Sequence, residues 1–399
     1  MRKTFTVTFI SLLIAIYAAP TIADVKIGGI IFTDVWYEFK DKENSGTTDD
    51  LAKFKVQIPN ITRFYGKWTS EDKDAGMYIE FGIDGNGTLE RDVVTRHACG
   101  WWQANPNLKI TAGMTVTGLS PLNPQQLIGA EGYKLNVIGG GFGDVYSGRI
   151  PLVKFTLTPS KQFTLNVAIS DPDITSAGFK DIIKYDKNTN KDGWGEYSTS
   201  LPRIDISAVI NAGPLTLYPG VMFANKTFDV SDKNADDSIS TYVVSVAAKT
   251  SMGPITLKGE INIGQNWGNQ DLLAIGLENK SFGGAVAIGG NQIENTEMFG
   301  GWLDAGIAVG AAEIHAILGI QDYSNEMAPD TDRDDFKQTC MMFGFSIPIK
   351  VAKNFKIRPE LMLYDLGTRE KFTKTDVGDY DDQERGKYMI AGVQFQATF

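Results

Sequence analysis

Sixteen stretches of this chain alternate apolar and polar residues with a period of two, and the polar side of the alternation carries charge. In "LKITAGMTVTG" (108–118), Leu108, Ile110, Ala112, Met114 and Val116 share one face; Lys109, Thr111, Gly113, Thr115 and Thr117 share the other. In "ITLKGEINIG" (255–264), Ile255, Leu257, Ile261 and Ile263 oppose Thr256, Lys258, Glu260 and Asn262. In "FKIRPELMLY" (355–364), Phe355, Ile357, Pro359, Leu361 and Leu363 oppose Lys356, Arg358, Glu360 and Tyr364. Side chains of a strand point to its two faces in turn, so each segment has one apolar and one charged surface. Charges buried in a packed core cost several kcal/mol each unless paired. Pointed into lipid at mid-depth, they cost ~2–4 kcal/mol each. A water-filled lumen avoids both penalties. The apolar face then meets lipid, and the sheet must close because lipid satisfies no backbone group. The expected fold is all-β: an antiparallel transmembrane β-barrel.

The connections agree. The segments run from Val25–Lys40 to Lys387–Phe399, and many are ~10 residues long, the length of a tilted strand crossing a bilayer. Short links such as "NPN" (105–107), "PSKQ" (159–162), "AGP" (212–214) and "SMGP" (251–254) alternate with long ones at 119–148, 172–201, 266–297 and 367–386. Short turns on one rim and long loops on the other describe an outer-membrane barrel. A weakly alternating stretch at 272–290 leaves eighteen strands open beside sixteen. No linker or shift in composition divides the chain.

The ends fit the same reading. "MRKTFTVTFISLLIAIYAAPTIA" has a basic start, an apolar core of about a dozen residues and small residues at Thr21 and Ala23. It reads as a signal peptide over 1–23, too short for a spanning helix, which needs ~20. The barrel is expected over 24–399. The last strand keeps its alternation to Phe399, and a terminal Phe resembles the carboxyl-terminal signature of Gram-negative outer-membrane proteins.

Together with the signal, the link pattern and the terminal Phe, "RHACGWWQANPNLKITAGMTVTG" (96–118) resembles the porins in their sixteen-stranded trimeric form. The resemblance implies passive diffusion of small hydrophilic solutes, outer-membrane lipid and lipopolysaccharide as surroundings, a homotrimer and no cofactor. It also implies that the long third loop, 119–148, folds into the lumen as a constriction. Glu131 and Asp144 are its acids. Arg63, Lys67, Arg96 and Lys109, inward by parity, would form a basic ladder facing them; Lys26 lies nearer the rim. Arg149 ends the loop, and a bulge at Pro151 leaves its facing open. A substrate-specific channel, with Trp36, Tyr65 and Tyr78 as a stacking path for sugars, and a closed structural or adhesive barrel remain as alternatives.

Parity also gives a charge balance. Inward bases are Lys26, Arg63, Lys67, Arg96, Lys109, Arg203, Lys258, Lys356 and Arg358. Inward acids are Asp34, Glu38, Glu80, Asp84, Asp205, Glu260, Asp304, Glu313 and Glu360. Nine against nine predicts weak ion selectivity, leaning to cations because the outer loops are acidic.

Other chemistries find little support. The net charge of −10 comes without a basic arm, which disfavours nucleic acid. Two histidines, His97 and His315, exclude a zinc site built on His alone. His97 is expected to face outward beside Thr95 and Cys99, with no serine in register for hydrolysis, so no enzyme is expected. "GGGFGD" (139–144) lacks the strand–helix context of a phosphate cradle. "DKNTNKDGWGE" (186–196) spaces acids like a calcium loop but lacks the required glycine and final acid. Cys99 and Cys340 fall on strands that are not neighbours and are expected as free thiols.

Overall fold

The alternating segments join edge to edge into one sheet. The computed structural model describes residues 24–399 except 46–48, 60, 85–91, 129–142, 144, 147, 173–193, 200, 231–235, 271, 273–282, 289–291, 326–335 and 371–381. The signal segment 1–23 therefore lies outside the described residues. The wall begins with β1 Asp24–Lys40, β2 Arg63–Thr69, β3 Ala75–Asp84, β4 Asp92–Asn105, β5 Leu108–Thr115, β6 Ile150–Ser160, β7 Phe163–Ser170 and β8 Arg203–Ala212. It continues with β9 Leu215–Val230, β10 Ser238–Met252, β11 Ile255–Gln265, β12 Glu297–Val309, β13 Ala312–Asn325, β14 Phe336–Ser346, β15 Phe355–Asp365 and β16 Lys387–Thr398. Each of the sixteen expected segments overlaps one of these strands.

Every strand runs antiparallel to the next. β16 returns to β1 from Ile30↔Thr398 to Lys40↔Tyr388, which closes the barrel. The backbones of Phe399 and Gly29 finish the seam with two reciprocal hydrogen bonds, 3.1 and 3.2 Å.

Three further strands join the sheet without adding to the wall's count, one of them Ile349–Ala352, which follows β14 and pairs with β13 and β15. Leu51–Gln57 pairs with Asp34–Lys40 of β1 above β2, and Trp194–Ser198 pairs with the end of β9 above β8. The stretch considered as an extra wall hairpin is not one. Among its described residues, Val286–Ile288 pairs with Gln292–Glu294 as a separate ribbon. β11 pairs directly with β12 instead, so the wall stays at sixteen.

The two rims differ as expected. Two residues suffice to turn β4 into β5 (106–107), β6 into β7 (161–162), β8 into β9 (213–214) and β10 into β11 (253–254). At Gly213-Pro214 and Gly253-Pro254 the glycine takes φ +64° and +60°, the sign a II′ hairpin requires at its first central position. All these turns lie on one rim, and the longer connections lie on the other.

Polarity is inverted relative to a packed domain. Ile261 is 61% exposed, Ile263 51% and Leu318 49%, while Asp34, Asn262, Ser346 and Gln394 are fully buried. Among the described residues no helix is long and apolar enough to cross a membrane; this says nothing about strands.

Candidate functional site

The inward face divides into two walls. On the first, β2–β6 carry a cationic cluster around one carboxylate. Arg63, Tyr65 and Lys67 of β2 stand in register with Gly82, Glu80 and Tyr78 of β3. Arg96 Nε donates to Glu80 Oε1 at 2.7 Å, and Arg63 Nε lies 3.6 Å from Glu80 Oε2. Tyr78 donates to Glu80 Oε2 at 2.7 Å, and its ring stands 5.9 Å from that of Tyr65.

His97 corrects an expectation. Glu80 pairs with His97 but Phe81 pairs with Thr95, so Arg96 is an extra residue in β4. Such a bulge turns two successive side chains to the same face. Arg96 and His97 both point inward, and His97 stays on the lumen side of the wall. Arg149 Nε donates to His97 Nε2 at 2.9 Å. The imidazole therefore carries its hydrogen at Nδ1, which lies 3.1 Å from Thr115 Oγ1.

The strand after the long third link is also regular where a bulge was expected. β5 and β6 stay in register from Leu108↔Leu157 to Thr115↔Ile150, with Pro151 opposite Met114. Lys154 consequently faces inward, and its Nζ donates to Val116 O at 2.8 Å. Parity counted from Ile150 without the bulge would have found it. Lys67 and Lys109 share this inward face but lie nearer the short-turn rim than Glu80. Lys67 is exposed and Lys109 half-buried.

The second wall, β8–β15, serves the third link, which runs from 116 to 149. Ser120 Oγ donates to Glu260 at 2.7 Å, and Gln125 N to Asp304 Oδ2 at 2.7 Å. Leu127 N and Ile128 N donate to Glu360 at 3.0 and 2.8 Å, and Ser346 Oγ adds a third bond at 3.0 Å. Lys258 Nζ donates to Asn123 O at 2.5 Å. On the returning side, Asn262 Nδ2 donates to Gly143 O at 3.0 Å. Gly143 has φ +83°, and a Cβ there would strike the carbonyl of Ile320, so backbone lies directly on backbone.

Apolar contacts reinforce these bonds. Ile128 is buried with Trp36, Ile317, Met342, Met362 and Tyr364. Leu119 and Val145 are buried with Met222, Val243, Trp267 and Tyr323. Trp36, one of the aromatics considered for a stacking path, thus belongs to the seat of this segment. Sequence parity found Glu260, Asp304 and Glu360 as inward acids but not that loop backbone would occupy them. Glu131 and Asp144 lie outside the described residues, as does most of the calcium-like stretch.

Two remaining details concern ion pairs and thiols. Arg203 and Asp205 form a bidentate pair, 2.9 and 2.9 Å, fully buried on β8. Cys99 and Cys340 are free, as expected.

Solved structures share this architecture. The outer-membrane channel DcaP of Acinetobacter baumannii matches with TM-score 0.65 and 17% identity, over 96% of this chain and 99% of that one. An anion-selective porin from Comamonas acidovorans matches with TM-score 0.57 and 13% identity, over 94% and 100%. OmpT of Vibrio cholerae matches with TM-score 0.54 and 11% identity, over 95% and 98%. The fold is that of an outer-membrane porin. No protein-family model and no curated protein matches the chain. The porin fold therefore rests on architecture, and the residues that line this porin barrel have to be read from the chain itself.

Proposed function

We propose that this chain spans the outer membrane as a porin and lets small hydrophilic solutes and ions diffuse passively through a water-filled lumen. The inverted polarity carries the reading. A wall with Ile261, Leu303 and Phe343 exposed outside, and with Arg63, Arg96 and Glu80 inside, is stable only between lipid and water.

Residues 119–148 act as the constriction. Their attachment to Glu260, Asp304 and Glu360 supports this, since a segment bound to inward carboxylates occupies cross-section. Glu131 and Asp144 would face the basic residues Arg63, Lys67, Arg96 and Lys109 from that loop. Passage needs no catalytic group, cofactor or energy input. Residues 1–23 act as the export signal, and lipid with lipopolysaccharide surrounds the barrel. A homotrimer is the proposed assembly; OmpT of Vibrio cholerae, one of the matched folds, is described in a trimer form.

Single-channel recording of refolded 24–399 in a planar bilayer tests the function. Discrete steps, in triplets for a trimer, are expected. A heat-modifiable, folded barrel that gives no steps would leave only a closed structural role.

A further inference from the structure

We propose that the link between β11 and β12 (266–296) is a second constriction element, and that Trp267 in its first turn sets the width of the path beside the third link. The selection it imposes is by size: hydrophilic solutes too wide for the remaining path are excluded whatever their charge. This rests on the diffusion function proposed above.

The inward face changes character along one row of the wall. Met222, Val243, Gly264, Met298 and Tyr323 stand in register across β9 to β13. All five share the face of Asp205, Glu260 and Asp304. The adjacent inward row, toward the short-turn rim, instead includes Ser245, Asn262 and Gln321. An apolar row turned to a water-filled lumen would forfeit the hydrophobic gain of folding. Yet Met222, Val243, Met298 and Tyr323 are all buried, so something inside the barrel covers them.

Two links supply the cover. Trp267 and Leu272 of the β11–β12 link, with Leu119 and Val145 from the two arms of the third link, are buried in one cluster with this row. Trp267 opens a turn of 3₁₀ helix, Trp267–Gln270, whose four residues are all buried. Its indole lies on Gly264. A Cβ there would meet Nε1 at 2.8 Å and strike the carbonyl of Tyr242. Leu119 likewise lies on Gly220, where a Cβ would meet its Cδ1 at 2.8 Å. The indole thus fills space between the arms of the third link and the wall, and that side of the lumen holds protein rather than water.

The wedge is held from behind. Asn266 takes φ +57°, a left-handed conformation that asparagine tolerates. Its Nδ2 donates to Ser240 O at 2.9 Å and to Asn295 Oδ1 at 2.7 Å, and its Oδ1 accepts from Thr296 N at 2.9 Å. One side chain therefore ties the two ends of the link together at the wall. Asn269 Oδ1 accepts from Ala285 N at 2.8 Å, and Gln270 Nε2 donates to Pro172 O at 2.8 Å, in the link after β7. The described residues 266–270 and 272 carry no charge, so the narrowing they produce is steric.

Single-channel conductance, together with the exclusion of polyethylene glycols of increasing mass, reads the width of the path. Trp267→Ala is expected to raise conductance about twofold and to admit polymers that the parent chain excludes. Trp267→Phe, which keeps a ring on the row, should stay near the parent. Ile263→Ala, exposed on the lipid face beside Gly264, should change neither reading. If Trp267→Ala does not regain heat modifiability, Leu272→Ala replaces it, with a smaller rise in the same direction. Conductance and polymer cut-off at or below those of the parent, in whichever of the two variants folds, overturn the inference while leaving the channel intact. So does an equal rise in Ile263→Ala, which would assign the effect to general loosening of the wall. Absence of steps from the folded parent overturns the diffusion function on which the inference rests.

Discussion

The two inner walls of the barrel are built from the same alternation and put to opposite use. On β8–β15, buried carboxylates accept from residues 120–128: Glu260 from the Ser120 hydroxyl, Asp304 and Glu360 from backbone N–H groups. On β2–β6, Arg63 and Arg96 gather around Glu80, and Arg149 joins them through His97. What separates them is the neighbour each polar group meets. A backbone N–H needs an acceptor when buried, so a loop lying on a wall is best received by acids. Its carbonyls take donors in turn, as Asn123 O does from Lys258 and Gly143 O from Asn262.

Substitutions on each wall test this division. The largest effect is expected for Glu360→Ala, which strips Leu127 N, Ile128 N and Ser346 Oγ of their acceptor and leaves Arg358 without its nearby carboxylate. Removing one member of such a buried charged set costs ~3–5 kcal/mol. Residues 119–128 should become open to limited proteolysis while the barrel remains heat-modifiable. Unchanged protection would show that these bonds do not hold the segment. Ile128→Ala comes next, at about 2 kcal/mol, the lower end for a buried isoleucine because a loop can settle. Urea-dependent proteolysis of the same segment reads it.

On the other wall, Glu80→Gln should cost about 1.5 kcal/mol in barrel stability, because it removes the carboxylate that Arg63, Arg96 and Tyr78 share. Urea unfolding reads it, and an unchanged midpoint would show that the carboxylate does not hold the cluster together. The smallest effect is expected for Lys67→Gln, an exposed side chain nearer the short-turn rim. Stability should shift by no more than about 0.5 kcal/mol. A loss as large as that of Glu80→Gln would place Lys67 among the groups that hold the Glu80 cluster.

Strand facing was largely legible in the sequence because it depends only on residues two apart. Lys109 and Thr111, or Glu260 and Ile261, could be assigned without any partner. Facing failed at His97, where one extra residue shifts the count and leaves no mark in the sequence. It was left open at Arg149 because Pro151 suggested a bulge that the register does not contain. The attachment of the third link could not be read at all. Its bonds join residues 140, 179 and 233 positions apart, and no local pattern encodes such a pairing.

The seam between β1 and β16 sets the order of assembly. Asp34 and Gln394, bonded across it, are 360 residues apart in sequence. Loop-closure entropy makes such a contact among the last to form. Every other wall strand pairs with its neighbour in the chain, so the sheet can grow as an open ribbon with one bare edge on β1. That edge stays available to any other strand until β16 arrives. Closure in this order leaves the first strand open to a wrong partner for the whole time the rest of the barrel is being laid down.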